Sequence, residues 1–471
     1  MFRCALNKIG DSAQRRGGDT VRNLTKITAS LLMGLVLVAG LAGTASASAP
    51  TIDTGAKGKI TGSGATFPWN QYTKWFEYYR NYVNPSAFGT SSTTKLVLDY
   101  TGGGSSTGIS SFKGSERMKE TQMFSGTDSV LTSTNRSDIN TALGTADDYM
   151  VLPATAGPVA VAYRYDGLLQ KVSATSTRTV AATLRLNGAV LCEIYSGTIK
   201  RWNDQKIKDL NPLITNLTSA TIILNGRSDG SGTTFIFASY LAKSATAAQK
   251  NCGYESSFSS NSSTAFSTTA GTFKPVNTAP GTYFGAMRTT NGALAIIGGD
   301  GNAGVAANIA GTNRSIGYVE LSFAVATGLK TAALETKTKF TSGANRGKFN
   351  YVLPSATSAA AALTAAVSTE DPINPSTSYV QPVFAAGTGS YPIVGYSWLM
   401  VYKTWTSADG LASKGQVQGL IAFLNWALTT GQSKLYVSDG VVGYAALPTA
   451  ARNAAVLQLK TITYDGTVLW P

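Results

Sequence analysis

The sequence predicts an α/β fold in which strands and helices alternate along the chain. Apolar, strand-like runs occur at residues 159–165 and 397–402, whereas residues 355–367 and 417–428 show the apolar spacing of helices. Turns rich in Gly, Ser and Thr separate these segments, as expected for α/β proteins. A chain of 471 residues also has room for two domains with substantial cores.

Residues 227–235, with the sequence Arg-Ser-Asp-Gly-Ser-Gly-Thr-Thr-Phe, form the most informative motif. An apolar, β-branched run at 221–224 precedes it, and a helix-compatible run follows at 235–241. A Gly-Ser-Gly turn therefore joins a strand to a helix. At such a junction, unpaired backbone N–H groups and the positive end of the helix dipole point at the same spot.

The side chains of this motif suit a small tetrahedral oxyanion. Ser231 and Thr233 supply hydroxyl donors, and Arg227 supplies a planar guanidinium that can bind two oxygens of one anion. Asp229 is placed to hold that guanidinium. A Gly-rich turn before an ordinary helix remains the alternative for this motif taken alone.

Two earlier segments repeat the construction. Residues 62–68 precede a stretch with an aromatic helical face, which places Thr66 and Phe67 at a helix N-terminus. Residues 101–108 follow a strand-like run and place Ser105 at the start of the next helix. Each loop alone could be only a helix cap, but three such loops predict a composite anion site.

Seven landmarks in this order resemble the family of phosphate-binding receptors of bacterial high-affinity phosphate ABC transporters. They are residues 64–68, 104–106, 126–128, 194–204, 210–212, 227–233 and 316–320. The Asp-Gly-Ser-Gly-Thr core of the sixth and the Trp-Asn-Asp segment of the fourth are the most specific. The resemblance covers nearly the whole chain after the amino-terminal segment.

The resemblance implies a two-lobed periplasmic-binding-protein fold with a hinge and a ligand cleft between the lobes. The first lobe would comprise residues 59–152 and 393–471, and the second lobe residues 153–392. Such a receptor is a monomer that binds inorganic phosphate outside the cytoplasm without catalysis. It delivers phosphate to an ABC importer whose permease and ATPase subunits are separate chains.

The resemblance also implies a set of phosphate-binding residues drawn from both lobes. Among them, Asp128 would accept a hydrogen bond from protonated phosphate, and Asp229 would orient the arginine. The phosphate-binding residues implied in this way are Thr66, Phe67, Ser105, Asp128, Arg227, Ser231, Gly232 and Thr233.

The amino-terminal segment has the pattern of a secretory signal peptide. Six basic residues precede an apolar stretch at residues 27–42, and Thr44-Ala45-Ser46-Ala47 follows. We therefore predict residues 1–47 as a signal peptide cleaved after Ala47, and residues 48–58 as a flexible lead. No cysteine follows the apolar stretch, so we expect a periplasmic or secreted protein without a lipid anchor.

The balance of charge agrees with an anionic ligand but does not identify one. The net charge is +14, and residues 1–47 contribute +4 of it, so the remaining chain carries +10. Such a surplus could attract phosphate, nucleic acid or an anionic surface. The basic residues are scattered without a long run, so the sequence does not predict a nucleic-acid partner.

The cysteines predict one disulfide. Cys4 leaves with the signal peptide, and Cys192 and Cys252 remain in an oxidising compartment. Two free buried thiols are the alternative, because a sequence does not give the Cα spacing that a disulfide requires.

The chain contains no histidine, which excludes Ser-His-Asp and Cys-His nucleophilic systems and histidine-ligated zinc sites. No carboxylate cluster has the spacing of a metal site, so we expect neither a metal nor a cofactor. Two alternatives stay open: a secreted phosphatase or phosphoester-binding protein, and a sulfate or molybdate receptor. Residues 79–93 and 256–272 are interpreted as loop insertions.

Overall fold

The computed structural model describes residues 50–129, 131–244, 291–367, 382–438 and 440–470. The strands are β1 Gly58–Gly64, β2 Leu96–Gly102, β3 Phe124–Thr127, β4 Tyr149–Arg164, β5 Leu169–Lys171, β6 Thr179–Ala181, β7 Arg185–Leu186, β8 Ile223–Arg227, β9 Ile297–Gly299, β10 Ser315–Glu320, β11 Lys330–Thr331, β12 Ala333–Lys339, β13 Phe349–Val352, β14 Val394–Tyr402, β15 Thr404–Trp405, β16 Val437–Ser438, β17 Val441–Val442, β18 Thr463–Tyr464 and β19 Thr467–Val468. The α-helices are α1 Trp69–Tyr78, α2 Ser105–Phe112, α3 Ser133–Leu143, α4 Gly188–Ser196, α5 Gln205–Leu210, α6 Gly232–Ser244, α7 Gly301–Gly311, α8 Leu321–Ala326, α9 Ala356–Val367, α10 Lys414–Leu428 and α11 Thr449–Leu459.

The largest sheet of the described residues has the strand order β2-β1-β3-β14-β4-β10-β8-β9, and β11 also pairs with β4. Strand β1 pairs in parallel with β2 and β3, which form the amino-terminal group with it. Strand β8 pairs in parallel with β9 and β10, which form the central group with it. Because parallel strands end at the same edge of a sheet, each group presents its carboxyl-end loops together, where open α/β sheets bind ligands.

A single long strand connects the two groups. Residues 149–158 of β4 pair antiparallel with β14, which in turn pairs with β3 of the amino-terminal group. Residues 159–164 of β4 pair antiparallel with β10 of the central group. All of β4 except Arg164 is buried, in keeping with its largely apolar sequence, although the sequence predicted a strand only at residues 159–165.

Helix α1 shows how the aromatic residues hold the amino-terminal group. Its spacing buries Tyr72, Trp75 and Phe76 on one face, as the sequence predicts. A π-helical turn at Tyr79–Val83 continues the helix, so the segment 79–93 is only in part the loop that the sequence indicates. The ring of Tyr79 lies 5.4 Å from that of Phe423 in α10, a packing contact that fixes this turn.

Several predictions concern regions at or beyond the edges of the described residues. Asp53, in the segment predicted as a flexible lead, accepts a hydrogen bond of 3.0 Å from Gln418 Nε2.

Cys192 is buried in α4, whereas Cys252 and residues 256–272 lie outside the described residues, so the disulfide stays a prediction. Within the described part of the chain, we find no helix both long and apolar enough to span a membrane.

Candidate functional site

The carboxyl-end loops of the two strand groups meet each other directly. The loop between β2 and α2 contacts the loop between β8 and α6, where the N–H of Ser106 donates a hydrogen bond of 3.1 Å to the carbonyl oxygen of Gly230. Both loops lead into helix N-termini, as predicted from their strand, Gly turn and helix pattern. The site is therefore formed between the two groups and belongs to neither alone.

Two glycines permit this close approach. Gly104 has a φ of +88°, and a Cβ built on it would lie 2.3 Å from Asp229 Oδ2. A Cβ on Gly232 would lie 2.5 Å from both Asp128 Cβ and Ser105 Oγ. Any side chain at either position would push the loops apart, so the glycines of the two motifs are required by the contact between them.

Arg227 is the charged centre of the site. It ends strand β8 and is only 1% exposed. Its Nε donates to Asp229 Oδ1 at 2.6 Å, and its Nη2 donates to Asp229 Oδ2, so the pairing is bidentate. Its Nη1 donates to Thr233 Oγ1 at 3.2 Å. Asp229 also accepts from the N–H of Gly301 at 3.2 Å, so hydrogen bonds hold both members of this pair.

Ser105 joins the two groups through its hydroxyl oxygen. This oxygen accepts hydrogen bonds from the N–H of Asp128 at 3.0 Å and from the N–H of Gly232 at 3.1 Å. It also lies 3.5 Å from Asp128 Oδ2. The first residue of α2 thus touches the end of β3 and the start of α6, which brings three of the predicted residues together.

Asp128 follows strand β3 and is 1% exposed. Burial raises its pKa to about 7, while a hydrogen bond with Ser397 and the positive charge of Arg227 act in the opposite direction. A carboxyl group with this pKa changes its protonation within the physiological pH range. It can therefore accept a hydrogen bond when ionised and donate one when neutral.

Thr66 and Thr233 lie on opposite sides of a buried amide. Asn302 Nδ2 donates to Thr66 Oγ1 at 3.2 Å and to Thr233 Oγ1 at 3.1 Å. Thr66 follows β1 in the amino-terminal group, whereas Thr233 lies in the first turn of α6. Asn302, in the first turn of α7 and 0% exposed, therefore connects a predicted ligand residue of each group.

The remaining predicted residues occupy the same loops. The Ser231 hydroxyl accepts from the N–H of Thr234 at 3.1 Å and so caps helix α6. The side chain of Phe67 is buried, and its carbonyl oxygen accepts a hydrogen bond of 2.7 Å from the Tyr444 hydroxyl. Ser231 and Phe67 thus adjoin the network that links the other six predicted residues.

A second buried carboxyl group lies beside the network. Glu320 ends β10, and its carboxyl oxygens accept from the N–H of Ser322 at 3.0 Å and from the Ser322 hydroxyl. Ser322 in turn accepts from Asn70 Nδ2 at 2.8 Å and contacts the Tyr444 hydroxyl at 3.2 Å. Burial raises the pKa of Glu320 to about 8.

Glu320→Gln is expected to remove a pH dependence of stability. A carboxyl whose folded pKa is raised stabilises the fold below its unfolded pKa, near 4.5, and loses this contribution as pH rises through 8. Between pH 5 and 8.5 the wild-type free energy of unfolding should fall relative to Glu320→Gln, by up to about 4 kcal/mol. Urea denaturation in phosphate-free buffers measures this difference.

The exposed Glu77 in α1 provides the matched control, because Glu77→Gln changes the same chemical group at the surface. It should leave the wild-type pH profile unchanged. Parallel profiles of wild type and Glu320→Gln across this range would contradict a raised pKa at Glu320.

Sequence reasoning missed Asn302 and Glu320. Asn302 follows the Ile-Gly-Gly strand β9 and the turn residues Asp300 and Gly301, a fourth example of a strand, a Gly turn and a helix. That repeated pattern was the signal that could have found it. Glu320 lies in the landmark at residues 316–320, but the sequence assigned no role to its side chain, and its complete burial is visible only in the structure.

The site places hydrogen-bond donors around the Arg227 guanidinium, with the carboxylate of Asp229 paired to it and the carboxyl group of Asp128 beside it. Among the described residues, no group of three His, Cys, Asp or Glu side chains has the geometry of a metal site. Helix N-termini add partial positive charge at the same place. Chemically, this arrangement can hold a small oxyanion and distinguish anions by their protonation.

Comparisons with known proteins agree with this architecture. Residues 44–430 match the family described as PBP superfamily domain. The chain is 30% identical over 448 residues to the phosphate-binding protein PstS of Methanocaldococcus jannaschii, covering 92% of this chain and 95% of that protein. It is 28% identical over 418 residues to the phosphate-binding protein PstS of Pasteurella multocida, covering 87% and 93% respectively.

Solved structures share the fold. One is described as a high-affinity periplasmic phosphate-binding protein bound with phosphate, with a TM-score of 0.56, 20% identity, and coverage of 87% of this chain and 96% of that chain. Another is the ancestral soluble variant of the human phosphate-binding protein, with a TM-score of 0.55, 21% identity and the same coverage. These similarities confirm the two-lobed α/β fold that the sequence predicts.

Proposed function

This chain belongs to the PstS family of phosphate-binding proteins, and from that premise we propose that it binds inorganic phosphate between its two lobes for an ABC importer. The observation that carries the proposal is the meeting of buried Arg227, threonine and serine hydroxyls and helix N-termini with the carboxyl group of Asp128, while Asp229 pairs with the guanidinium. Donors from opposite sides suit an anion with four oxygens, and one acceptor suits an anion that carries a proton.

The residues of the composite site have different proposed roles in binding phosphate. Arg227 supplies the charge, oriented by Asp229, and Asp128 accepts a hydrogen bond from the ligand. Backbone N–H groups at the helix starts and the hydroxyls supply the other donors. The proposed phosphate-binding residues are Thr66, Phe67, Ser105, Asp128, Arg227, Ser231, Gly232 and Thr233.

We place the lobe boundaries where the sequence predicts them, with residues 59–152 and 393–471 in the first lobe and 153–392 in the second. The division of β4 between two strand partners supports a boundary within that strand. Phosphate held by both lobes would stabilise the closed form, and hinge closure would convert occupancy into a shape that a permease recognises.

The proposed setting is outside the cytoplasm. The signal-peptide pattern at residues 1–47 supports export, and the absence of a following cysteine supports a periplasmic or secreted protein without a lipid anchor. We propose a monomeric, non-enzymatic receptor whose permease and ATPase partners are separate chains. A disulfide between Cys192 and Cys252 would stabilise the second lobe.

Calorimetric titration of the purified protein with phosphate, arsenate, sulfate and a phosphomonoester tests the proposal. We expect saturable phosphate binding, slightly weaker arsenate binding, and far weaker binding of sulfate and the ester. Preference for sulfate would favour a sulfate receptor, and hydrolysis of the ester would favour a phosphatase. Either result, or the absence of phosphate binding, would contradict the proposed function.

A further inference from the structure

We infer that Asn302 is a positioning residue that forces the hydroxyls of Thr66 and Thr233 to act as hydrogen-bond donors toward the bound anion. This inference rests on the proposed function, because it concerns how the same site selects its ligand. It begins with the amide of Asn302, which donates one N–H to each threonine, at 3.2 Å to Thr66 and 3.1 Å to Thr233.

The hydroxyl oxygen of Thr66 already accepts two hydrogen bonds. A hydroxyl oxygen has two lone pairs and one proton. Thr66 Oγ1 accepts from Asn302 Nδ2 and also from the backbone N–H of Asn302 at 3.2 Å. With both lone pairs occupied, the hydroxyl can only donate to any further partner.

The hydroxyl oxygen of Thr233, in the other lobe, also accepts two hydrogen bonds. Its Oγ1 accepts from Asn302 Nδ2 at 3.1 Å and from Arg227 Nη1 at 3.2 Å. Its proton is therefore directed to another acceptor, and the neighbouring guanidinium draws an anion to that position. Two hydroxyls that could otherwise rotate between donating and accepting are fixed as donors before the ligand arrives.

The orientation of the amide is itself fixed. Asn302 Oδ1 accepts from the backbone N–H of Glu320 at 2.9 Å, so the oxygen faces a donor and the nitrogen faces two acceptors. The side chain is 0% exposed and cannot rotate into solvent. Reversing the amide would place its NH2 group against the N–H of Glu320, and a buried site penalises two donors in contact.

As a consequence, different parts of the site bind the protonated and the unprotonated oxygens of the anion. Donor-only threonines favour phosphate oxygens without a proton, whereas Asp128 accepts a hydrogen bond from the protonated oxygen. Asn302 also spans both lobes, so it completes this arrangement only when they are closed. We therefore assign it a role in specificity and in coupling closure to binding.

The decisive experiment compares Asn302→Asp with Asn302→Ala by calorimetric titration with inorganic phosphate at pH 8. Aspartate has the shape of asparagine and still accepts from Glu320, but it replaces the donating nitrogen with an acceptor. Thr66 and Thr233 would then donate to the introduced carboxylate instead of to the anion. We expect affinity to fall about tenfold in Asn302→Ala and at least about 100-fold in Asn302→Asp.

A role in packing alone predicts the opposite order, because the isosteric aspartate fills the same space and the alanine leaves the Glu320 N–H unpaired. An Asn302→Asp variant that binds phosphate as well as Asn302→Ala, or better, would overturn the inference. The proposed function would then stand as long as the wild type binds phosphate. Absence of phosphate binding by the wild type would instead overturn the proposed function and this inference together.

Double variants separate the direction of the hydroxyls from simple charge repulsion. Thr233→Val should weaken phosphate binding in the wild type but add little in the Asn302→Asp background, where the hydroxyl has already turned away. If charge repulsion were the whole cause, the two losses would add. Additive losses in this cycle would therefore contradict the inference.

The pH profile gives a further readout. Protonation of the introduced carboxyl restores one donor, so the affinity ratio of wild type to Asn302→Asp should shrink as pH falls from 8 to 5. Expressing the result as a ratio cancels the titration of phosphate itself. The charged and titratable groups of the surrounding loops and network, common to both proteins, are Asp128, Arg227, Asp229, Asp300 and Glu320.

Asn308 provides a matched control on the same helix. Its side chain donates to the carbonyl oxygen of Gly298, in strand β9, at 3.1 Å. Asn308→Asp and Asn308→Ala should retain wild-type phosphate affinity and pH dependence. Thermal melting of every variant confirms that the compared proteins are folded at the titration temperature.

Discussion

Replacing Arg227 with alanine is expected to weaken phosphate binding about tenfold to 100-fold and to destabilise the fold. Loss of a charged hydrogen-bond donor from a buried site costs about 1.5–3 kcal/mol of binding free energy. The side chain is 1% exposed, and its removal leaves Asp229 without its bidentate partner. Breaking such a buried pair lowers the free energy of unfolding by about 3–5 kcal/mol.

A double variant separates the two effects. Arg227→Ala/Asp229→Ala removes the carboxylate that the single change leaves unpaired, so part of the lost stability should return. Phosphate affinity should remain low, because the ligand-facing charge is still missing. Arg227→Lys should bind better than Arg227→Ala but below the wild type, since an ammonium group lacks the planar fork. Calorimetry with phosphate and urea denaturation supply the two measurements.

The chain contains a matched surface pair with the same spacing. Arg164 ends β4 and pairs with Asp166 two residues later, but these side chains are 39% and 52% exposed. Arg164→Ala should lower the free energy of unfolding far less than Arg227→Ala does and leave phosphate affinity intact, because solvent screens an exposed pair. Folded Arg227→Ala protein with wild-type affinity would show that the buried pair is structural only.

The local sequence was sufficient to predict the loops of the site. Strand, Gly turn and helix patterns at residues 62–68, 101–108 and 227–235 all occur in the structure, and helix α6 begins three residues earlier than the apolar run indicates. The earlier start has a physical reason, because Ser231 caps the helix and draws Gly232 and Thr233 into its first turn. Local propensity therefore identified the junction but not its first residue.

Contacts between distant segments were beyond the reach of sequence patterns. Asn302 acts through Thr66 and Thr233, and no spacing rule brings these three residues together. The π-helical turn at Tyr79–Val83 is stabilised by aromatic packing against α10. The sequence indicated a loop there, because the residues that follow the turn are polar. In both cases the local structure depends on tertiary packing, and the local sequence does not identify the distant residues that make the contact.

The raised pKa of Asp128 likewise required the structure. Its sequence context, the end of a short strand, is equally compatible with an exposed turn aspartate. Burial raises the pKa to about 7, against the opposing effects of Ser397 and Arg227. Because Asp128 changes its protonation near neutral pH, its role in anion selection can be tested by varying the pH.

Asp128→Asn is expected to reduce the preference for phosphate over sulfate by about 100-fold. An ionised Asp128 accepts a hydrogen bond from protonated phosphate but repels sulfate, which has no proton to give. Asparagine removes the negative charge and offers an N–H donor at the same position. Sulfate affinity should rise while phosphate affinity falls, and the two changes together correspond to about 3 kcal/mol.

Asp99→Asn is the control for this substitution, because Asp99 is an exposed residue of β2, outside the network of the site. It should leave both affinities unchanged. Titration of each protein with phosphate and with sulfate at pH 8 gives the ratio directly. An unchanged ratio in a folded Asp128→Asn protein would count against Asp128 as the discriminating acceptor.

The same carboxyl group should make sulfate rejection depend on pH. Sulfate stays fully ionised between pH 5 and 8, so any change in its affinity over this range reports on the protein. Because Asp128 gains a proton as pH falls through about 7, it should change from repelling sulfate to donating a hydrogen bond to it. Wild-type sulfate affinity should therefore rise at low pH, and Asp128→Asn should lose most of that rise. A rise of equal size in the variant would place the effect elsewhere.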